Sequence, residues 1–377
     1  MTSPNFALDP GVLKELKEIH GDLNESFKDS NLFHVGSDQN WSDIPMWIPT
    51  GVDLLDAVMT SYDKDDKVLG RGWACGRWYE VFGPEAGGKT TLYIHGLVEC
   101  QKMGGFPVLI DSEARFYKPR AQKMGLDLSS LTIIDAPYIE RGIESIDKLL
   151  NLFQKSDKMK RRPVMIAWDT IATVPTKAEL EKGKYAGGMG DKPRAIHQMI
   201  RDLVGKLPGS NACLVLVNQV RDNIGAGKYE KQTDTTGGWG TRFQSSVRIE
   251  VTKFGQYTNA KDKEDLEGIL NRYKIVKSSL FKPMAEIETA LNAEYGIDNL
   301  LTTVSFHVQK SKLISSKGGR YKCEEYQGKD ATGKYLADFL KLVKEDELFY
   351  DFLRSQINNH RKQFWMKAAS YSAPKEE

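Results

Sequence analysis

The sequence predicts an α/β fold: a mostly parallel, twisted sheet flanked by helices, with a short helix ahead of it and a small α+β domain behind it. Three observations carry that expectation. From Ile48 to about Ala290 apolar runs alternate with helical patterns, the order in which strands and crossover helices build a parallel sheet. A glycine-rich turn, Gly83 to Gly88, stands between an apolar run and a helical one. After about Asp298 the pattern changes to short polar stretches and then a helix stripe. The chain divides accordingly into residues 1–48 (helix and linker), 49–298 (core) and 299–377 (small carboxy-terminal domain and tail).

Taken in order, Asp9-Pro10 reads as a helix start, with Leu13, Leu16 and Ile19 on one stripe and Gly21 as its stop. A helix that short, below ~12–15 residues, is marginal unless it packs on something. A neighbouring subunit and its own core are both open as the partner. The strands expected next are Arg77–Phe82, Pro107–Asp111, Leu131–Asp135, Val164–Asp169, Ala212–Asn218, Val247–Lys253, Tyr273–Lys277 and Ala285–Thr289. Between them, Gly88–Met103 ends at Gly104-Gly105, and Glu144–Phe153 places Ile146, Leu149, Leu150 and Phe153 at helical spacing. In the last region Tyr321–Tyr326 reads as a strand, and Leu336, Phe339, Leu340 and Val343 as a helix stripe.

Two connections are long and glycine-rich: Thr173–Pro193 and Arg221–Thr241. Both leave carboxyl ends of expected strands, where α/β sheets bind ligands, and unstructured connections beyond ~12–15 residues are usually functional or disordered.

At 40% hydrophobic and 28% charged, the 377 residues exclude a disordered or collagenous chain. Lys+Arg 53 against Asp+Glu 51 leaves a net charge of +2, so a nucleic-acid site must be local rather than a wholly basic surface. Cys75, Cys100, Cys213 and Cys323 form no Cys-x-x-Cys pair, which argues against zinc and a disulfide framework and fits a reducing cytoplasm. No leader pattern and no apolar stretch near ~18 residues appears, so the expectation is a cytoplasmic protein with no membrane partner.

The chemistry is concentrated at strand ends. Gly83-Pro84-Glu85-Ala86-Gly87-Gly88-Lys89-Thr90 fits the P-loop pattern, following an apolar strand and opening a helix. Glycines let backbone N–H groups converge on phosphates, the helix terminus adds its dipole, Lys89 reaches the β- and γ-phosphates, and Thr90 is placed for magnesium. Asp169 ends an apolar strand as a second partner for that ion. Asp111 and Glu113 end another, and either could polarise an attacking water, with Glu113 as the first candidate. Asn218-Gln219 ends a third, where an amide could sense a γ-phosphate.

These residues resemble the RecA family of ATP-dependent DNA strand-exchange recombinases, phage members included. Gly83–Thr91 resembles that family's P-loop, Leu109–Glu113 its glutamate strand, Ile166–Thr170 its Walker B strand and Val217–Arg221 its switch strand, in the same order. Thr50–Asp56 is similar to the family's entry to the core, and Thr235–Gly238 to its second DNA loop. The resemblance implies ATP and Mg2+ as cofactors, Glu113 as activator of water, Gln219 as γ-phosphate sensor, and Thr90 and Asp169 at the metal. It further implies single-stranded DNA and homologous duplex DNA as partners, self-assembly into a helical filament, and a place for loading or mediator proteins. Met189 and Gly190 then fall in a first DNA loop, followed by Arg194 and Arg201, while Arg221, Ile224, Thr236, Gly237 and Gly238 fall in the second. Wedging apolar side chains, flexible glycine amides and a few arginines suit sequence-blind binding of a single strand.

Three departures stand out. Lys277 matches the first of a family Lys-x-Lys pair that reaches the neighbour's ATP, but Ser279 replaces the second, so either Lys277 suffices or Lys274 or Lys282 compensates, with reduced ATP turnover as one expected result. The family's adenine-stacking tyrosine falls at Arg120, with Tyr117 nearby. The long acidic tail of many bacterial members is reduced to Glu376 and Glu377. A helicase or other motor on the same core, and an ATP-gated DNA-coating protein with little turnover, are the alternative functions.

Overall fold

The structure, a computed structural model, describes residues 10–28, 43–182, 191–222, 233–235, 242–258, 266–326, 332–333 and 335–364. Helix α1 (Pro10–Phe27) starts at a proline whose missing N–H costs nothing there. It does not stop at Gly21: that glycine keeps ordinary helical backbone, with open space around it. An interior glycine costs only about 1 kcal/mol against alanine. The turn that ends the helix is Lys28, which takes φ 54° and donates its N–H to Glu25 O. No residue of α1 is buried.

Four short strands and one helix frame the entry to the core: β1 (Trp47–Ile48), α2 (Asp53–Val58), β2 (Thr60–Tyr62), β3 (Val68–Arg71) and β4 (Trp73–Ala74). The sheet proper begins with β5 (Trp78–Gly83), followed by α3 (Lys89–Lys102), β6 (Phe106–Asp111), α4 (Lys118–Lys123), β7 (Thr132–Ile134), α5 (Ile139–Lys155) and β8 (Val164–Asp169). It continues through α6 (Lys177–Lys182), α7 (Asp191–Val204), β9 (Ala212–Asp222), β10 (Thr233–Thr235), β11 (Val247–Thr258), β12 (Leu266–Ser278), β13 (Glu286–Asn292) and β14 (Gly296–Ile297). The ten strands run in the order β14-β13-β12-β11-β5-β9-β8-β6-β7, with β10 folded back on β9. From β11 to β7 every pairing is parallel, and β12, β13 and β14 add an antiparallel flank.

Side-chain alternation assigns each parallel strand to two cores at once. Met165 and Ala167 of β8 face one apolar cluster with Leu92, Leu97 and Val98 of α3. Val164, Ile166 and Trp168 face the other, with Ile146 of α5 and Ile196 and Ile200 of α7. Burial on both faces is why these strands read as unbroken apolar runs.

Three strands run further than the sequence suggests: β9 continues to Asp222, β11 to Thr258, and β12 begins at Leu266. Beyond its expected end β11 becomes half-buried or exposed, while the added part of β12 mixes polar residues with half-buried Ile269 and Leu270 and buried Asn271, and ladder hydrogen bonds join the two strands along this length. Helix α6 lies within the connection 173–193, which is therefore not structureless.

Past Asp298, whose carboxylate accepts the Leu301 N–H as a helix cap, come α8 (Asn299–Phe306) and a π-helical turn. The hairpin strands β15 (Ile314–Lys317) and β16 (Arg320–Cys323) follow, then β17 (Thr332–Gly333), α9 (Leu336–Glu345) and α10 (Glu347–Asn359). Val304, Phe339, Phe349 and Leu353 centre a third apolar cluster. Helix α10 reaches back to α2: Tyr350 Oη donates to Asp53 at 2.8 Å, and the Arg354 guanidinium pairs with the same carboxylate at 3.0 Å.

Candidate nucleotide site and nucleic-acid interface

The loop after β5 is shaped by backbone conformations that glycine tolerates. Gly83 (φ 154°) and Gly88 (φ 96°) both lie at positive φ, and a Cβ would drive Gly83 into the Val251 carbonyl and Gly88 into Asn271 and Leu291. Ala86 adopts φ 55° at the exposed crown beside Pro84 and Glu85. Asn271 of β12, not singled out by the sequence, donates its side-chain amide to Gly87 O and so braces the loop from below. Lys89 is buried, and its Nζ donates to Gly83 O at 2.8 Å and Pro84 O at 2.7 Å. Burial holds the Lys89 amine below its ordinary pKa, against the pull of Asp169, Glu85 and Glu113. A cradle of glycine backbone at a helix start with an ammonium folded into it suits a polyphosphate.

Parallel register brings the acidic strand ends together around this loop, because β6, β8, β9 and β5 are neighbours. Asp111 stands opposite Asp169, and Gln219 opposite Gly83. Thr90 Oγ1 donates to Asp169 Oδ2 at 2.8 Å, a hydroxyl and carboxylate in contact as a hard divalent cation needs. Burial raises the Asp169 carboxyl above the usual range, opposed by the hydroxyls of Thr90 and Tyr93, so a bound cation would stabilise its ionised form.

The rival carboxylates separate by partner. Asp111 accepts the backbone N–H groups of Arg115 (3.2 Å) and Phe116 (2.9 Å), and so organises the turn after its strand. Glu113 instead accepts from Gln219 Nε2 at 3.4 Å and pairs with Arg115 at 3.1 Å. The structure thus brings together Lys89, Thr90, Asp169, Glu113 and Gln219, and gives Asp111 a structural task.

Arg120, on α4, donates to Thr91 Oγ1 and Ala293 O, both at 3.0 Å, so it stands beside the start of α3. Tyr117 is 69% exposed one turn earlier. Lys277 Nζ donates to Arg242 O (2.9 Å) and Phe243 O (2.6 Å). Ser279 donates its N–H and hydroxyl to Ser246 O. Arg194 and Arg201 are exposed on α7, two turns apart on one face. Arg221 lies on β9 opposite Asp234 of β10. Met189, Gly190, Ile224, Thr236, Gly237 and Gly238 lie outside the described residues.

Fold and site define a P-loop nucleotide-binding α/β protein, with the loop on a central strand and its acidic and amide partners on the strands alongside. A family model described as the RecA N-terminal domain matches residues 16–298. Curated relatives named Protein RecA include that of Chlorobaculum parvum, 28% identical over 353 residues, 93% of this chain and 94% of the relative. That of Colwellia psychrerythraea is 31% identical over 299 residues, 78% and 83% of the two chains, and that of Cytophaga hutchinsonii 31% over 276 residues, 72% and 74%. The chain belongs to the RecA family of recombinases.

Among the described residues no group of three or more His, Cys, Asp or Glu is arranged to hold a metal, and no helix is long and apolar enough to cross a membrane.

Proposed function

We propose that the chain is an ATP- and magnesium-dependent recombinase that polymerises on single-stranded DNA and pairs that strand with a homologous duplex. The observation that carries this reading is the Gln219–Glu113 hydrogen bond at the mouth of the P-loop, because Gln219 lies on the strand that runs on into the Arg221–Thr241 segment. A sensor and a base in contact, on the element that leads to the DNA loop, couple nucleotide state to DNA grip.

In this reading the loop amides and Lys89 hold the phosphates, Thr90 and Asp169 hold magnesium, and Arg120 or Tyr117 faces the adenine. ATP with magnesium would supply a γ-phosphorus for water to attack as ADP leaves, and a γ-phosphate whose presence selects the DNA-binding state. Glu113 orients and deprotonates water through its carboxylate. Lys277 reaches a neighbouring protomer's nucleotide, and the α1 stripe, half-buried at Leu13 and Leu16 and exposed at Ile19, docks on an adjacent protomer. Met189, Gly190, Ile224, Thr236, Gly237 and Gly238, with Arg194, Arg201 and Arg221, contact DNA. Unpaired, buried cysteines agree with action in a reducing cytoplasm.

Electron microscopy on single-stranded DNA, with and without a non-hydrolysable ATP analogue, tests the reading. Helical filaments are expected only with the analogue, and equal coating without nucleotide refutes it. A second reading, a DNA-coating protein with little turnover, draws on Ser279, which is bonded to Ser246 O and supplies no second cation. DNA that supports coating yet fails to stimulate phosphate release would establish it.

A further inference from the structure

A polar row crosses the middle of the sheet. Register places Lys277 beside Arg248, Arg248 beside Glu80, and Glu80 beside Leu216, with Asn218 on the face of Leu216 two residues on. Glu80 is fully buried, one oxygen taken by Asn218 Nδ2 at 2.9 Å and the other by Arg248 Nε. Arg248, also buried, lies over the Phe82 ring at 4.3 Å. Asn218 Oδ1 accepts the backbone N–H of Gln219 at 3.0 Å, and Gln219 meets Glu113. A carboxylate only accepts and an N–H only donates, so the Asn218 amide can face its partners one way round. At the other end Lys277 carries the return of the chain at Arg242 and Phe243.

Stability alone does not account for this row, because desolvation offsets the attraction of a buried ion pair and apolar residues fill such positions at least as well. We propose that Glu80, Asn218 and Arg248 are positioning residues that tie Gln219 and Glu113 at one protomer's nucleotide to Lys277, and so couple that nucleotide to the protomer seam and to both ends of the Arg221–Thr241 segment. The proposal rests on the roles given above to Gln219 and Lys277. Because hydrogen bonds join Gln219, Asn218, Glu80 and Arg248 in series, with Lys277 beside Arg248 on the next strand, a turn of Gln219 toward a phosphate is passed across the sheet instead of being absorbed locally.

The test compares wild type, Glu80→Gln, and the double variant Glu80→Gln/Arg248→Met, which removes both charges and so avoids a lone buried ion. Three quantities are measured: the midpoint of urea unfolding, affinity for a fluorescent ATP analogue without DNA, and the factor by which single-stranded DNA raises kcat. Both variants should bind the analogue within about twofold of wild type, and the double variant should unfold near the wild-type midpoint. DNA stimulation should fall by about tenfold in each, within the range of allosteric couplings. A double variant that is stable and fully stimulated by DNA overturns the relay, even if Glu80→Gln alone fails to fold. A wild-type protein that DNA does not stimulate overturns the functional reading and the relay together.

Discussion

Asp111 and Glu113 differ by two positions and face opposite tasks. Glu113→Gln should lower turnover by about 10²–10⁴-fold while leaving binding of a non-hydrolysable analogue intact, as measured by phosphate release and by titration. Asp111→Asn should keep turnover and instead cost about 1 kcal/mol of unfolding free energy, since it weakens the turn that Arg115 and Phe116 build on it. The residue types and their place at strand ends were legible in the sequence. Spacing alone leaves open which carboxylate faces Gln219, because that depends on the path of the turn after β6, and it is the family resemblance that points to Glu113. Glu80 was legible only as one polar residue in an apolar run, and its partner Arg248 is 168 positions away along the chain. Asn271 was hidden for the same reason, its loop contact spanning 184 positions.

At the scale of elements, the central parallel strands were read nearly to their ends because burial on both faces writes them as apolar runs. The outer parts of β11 and β12 were not, since apolar and polar, exposed and half-buried positions are mixed there and leave no unbroken apolar run. The π-helical turn after α8 holds another long-range tie: His307 Nε2 donates to Leu353 O of α10 at 2.8 Å, which leaves Nδ1 to accept from Ser311 Oγ, also 2.8 Å away. Burial lowers the His307 pKa from 6.5 to about 4. His95 is lowered to about 4 by the same cause, and its Nε2 accepts the Ile297 N–H. Both groups bind fewer protons folded than unfolded, so their contribution to stability is full above pH 6.5 and is lost as pH falls toward 4. Urea midpoints should therefore drop between pH 7 and pH 5, and His307→Gln, which can still donate to Leu353 O, should drop less.

For the whole molecule, a net charge of +2 leaves DNA binding to a few local cations. Replacing Arg194 or Arg201 by Gln should weaken binding to any single-stranded sequence alike and flatten the slope of log affinity against log salt by ~0.7 for each phosphate no longer neutralised. Fluorescence anisotropy across a salt series measures both. Overall class and motif order could be read because they depend on local pattern; what α1 packs on could not, and no residue of α1 is buried among the described residues. The four cysteines, all buried and unpaired, have a practical bearing on such experiments. Burial pushes the Cys100 thiol up to about 12 and raises those of Cys75, Cys213 and Cys323, so none offers the thiolate that alkylating dyes attack. A single cysteine introduced at exposed Lys158, on the rim opposite the P-loop, would accept a fluorophore selectively in the otherwise native chain, and energy transfer between labelled protomers would then report assembly in real time.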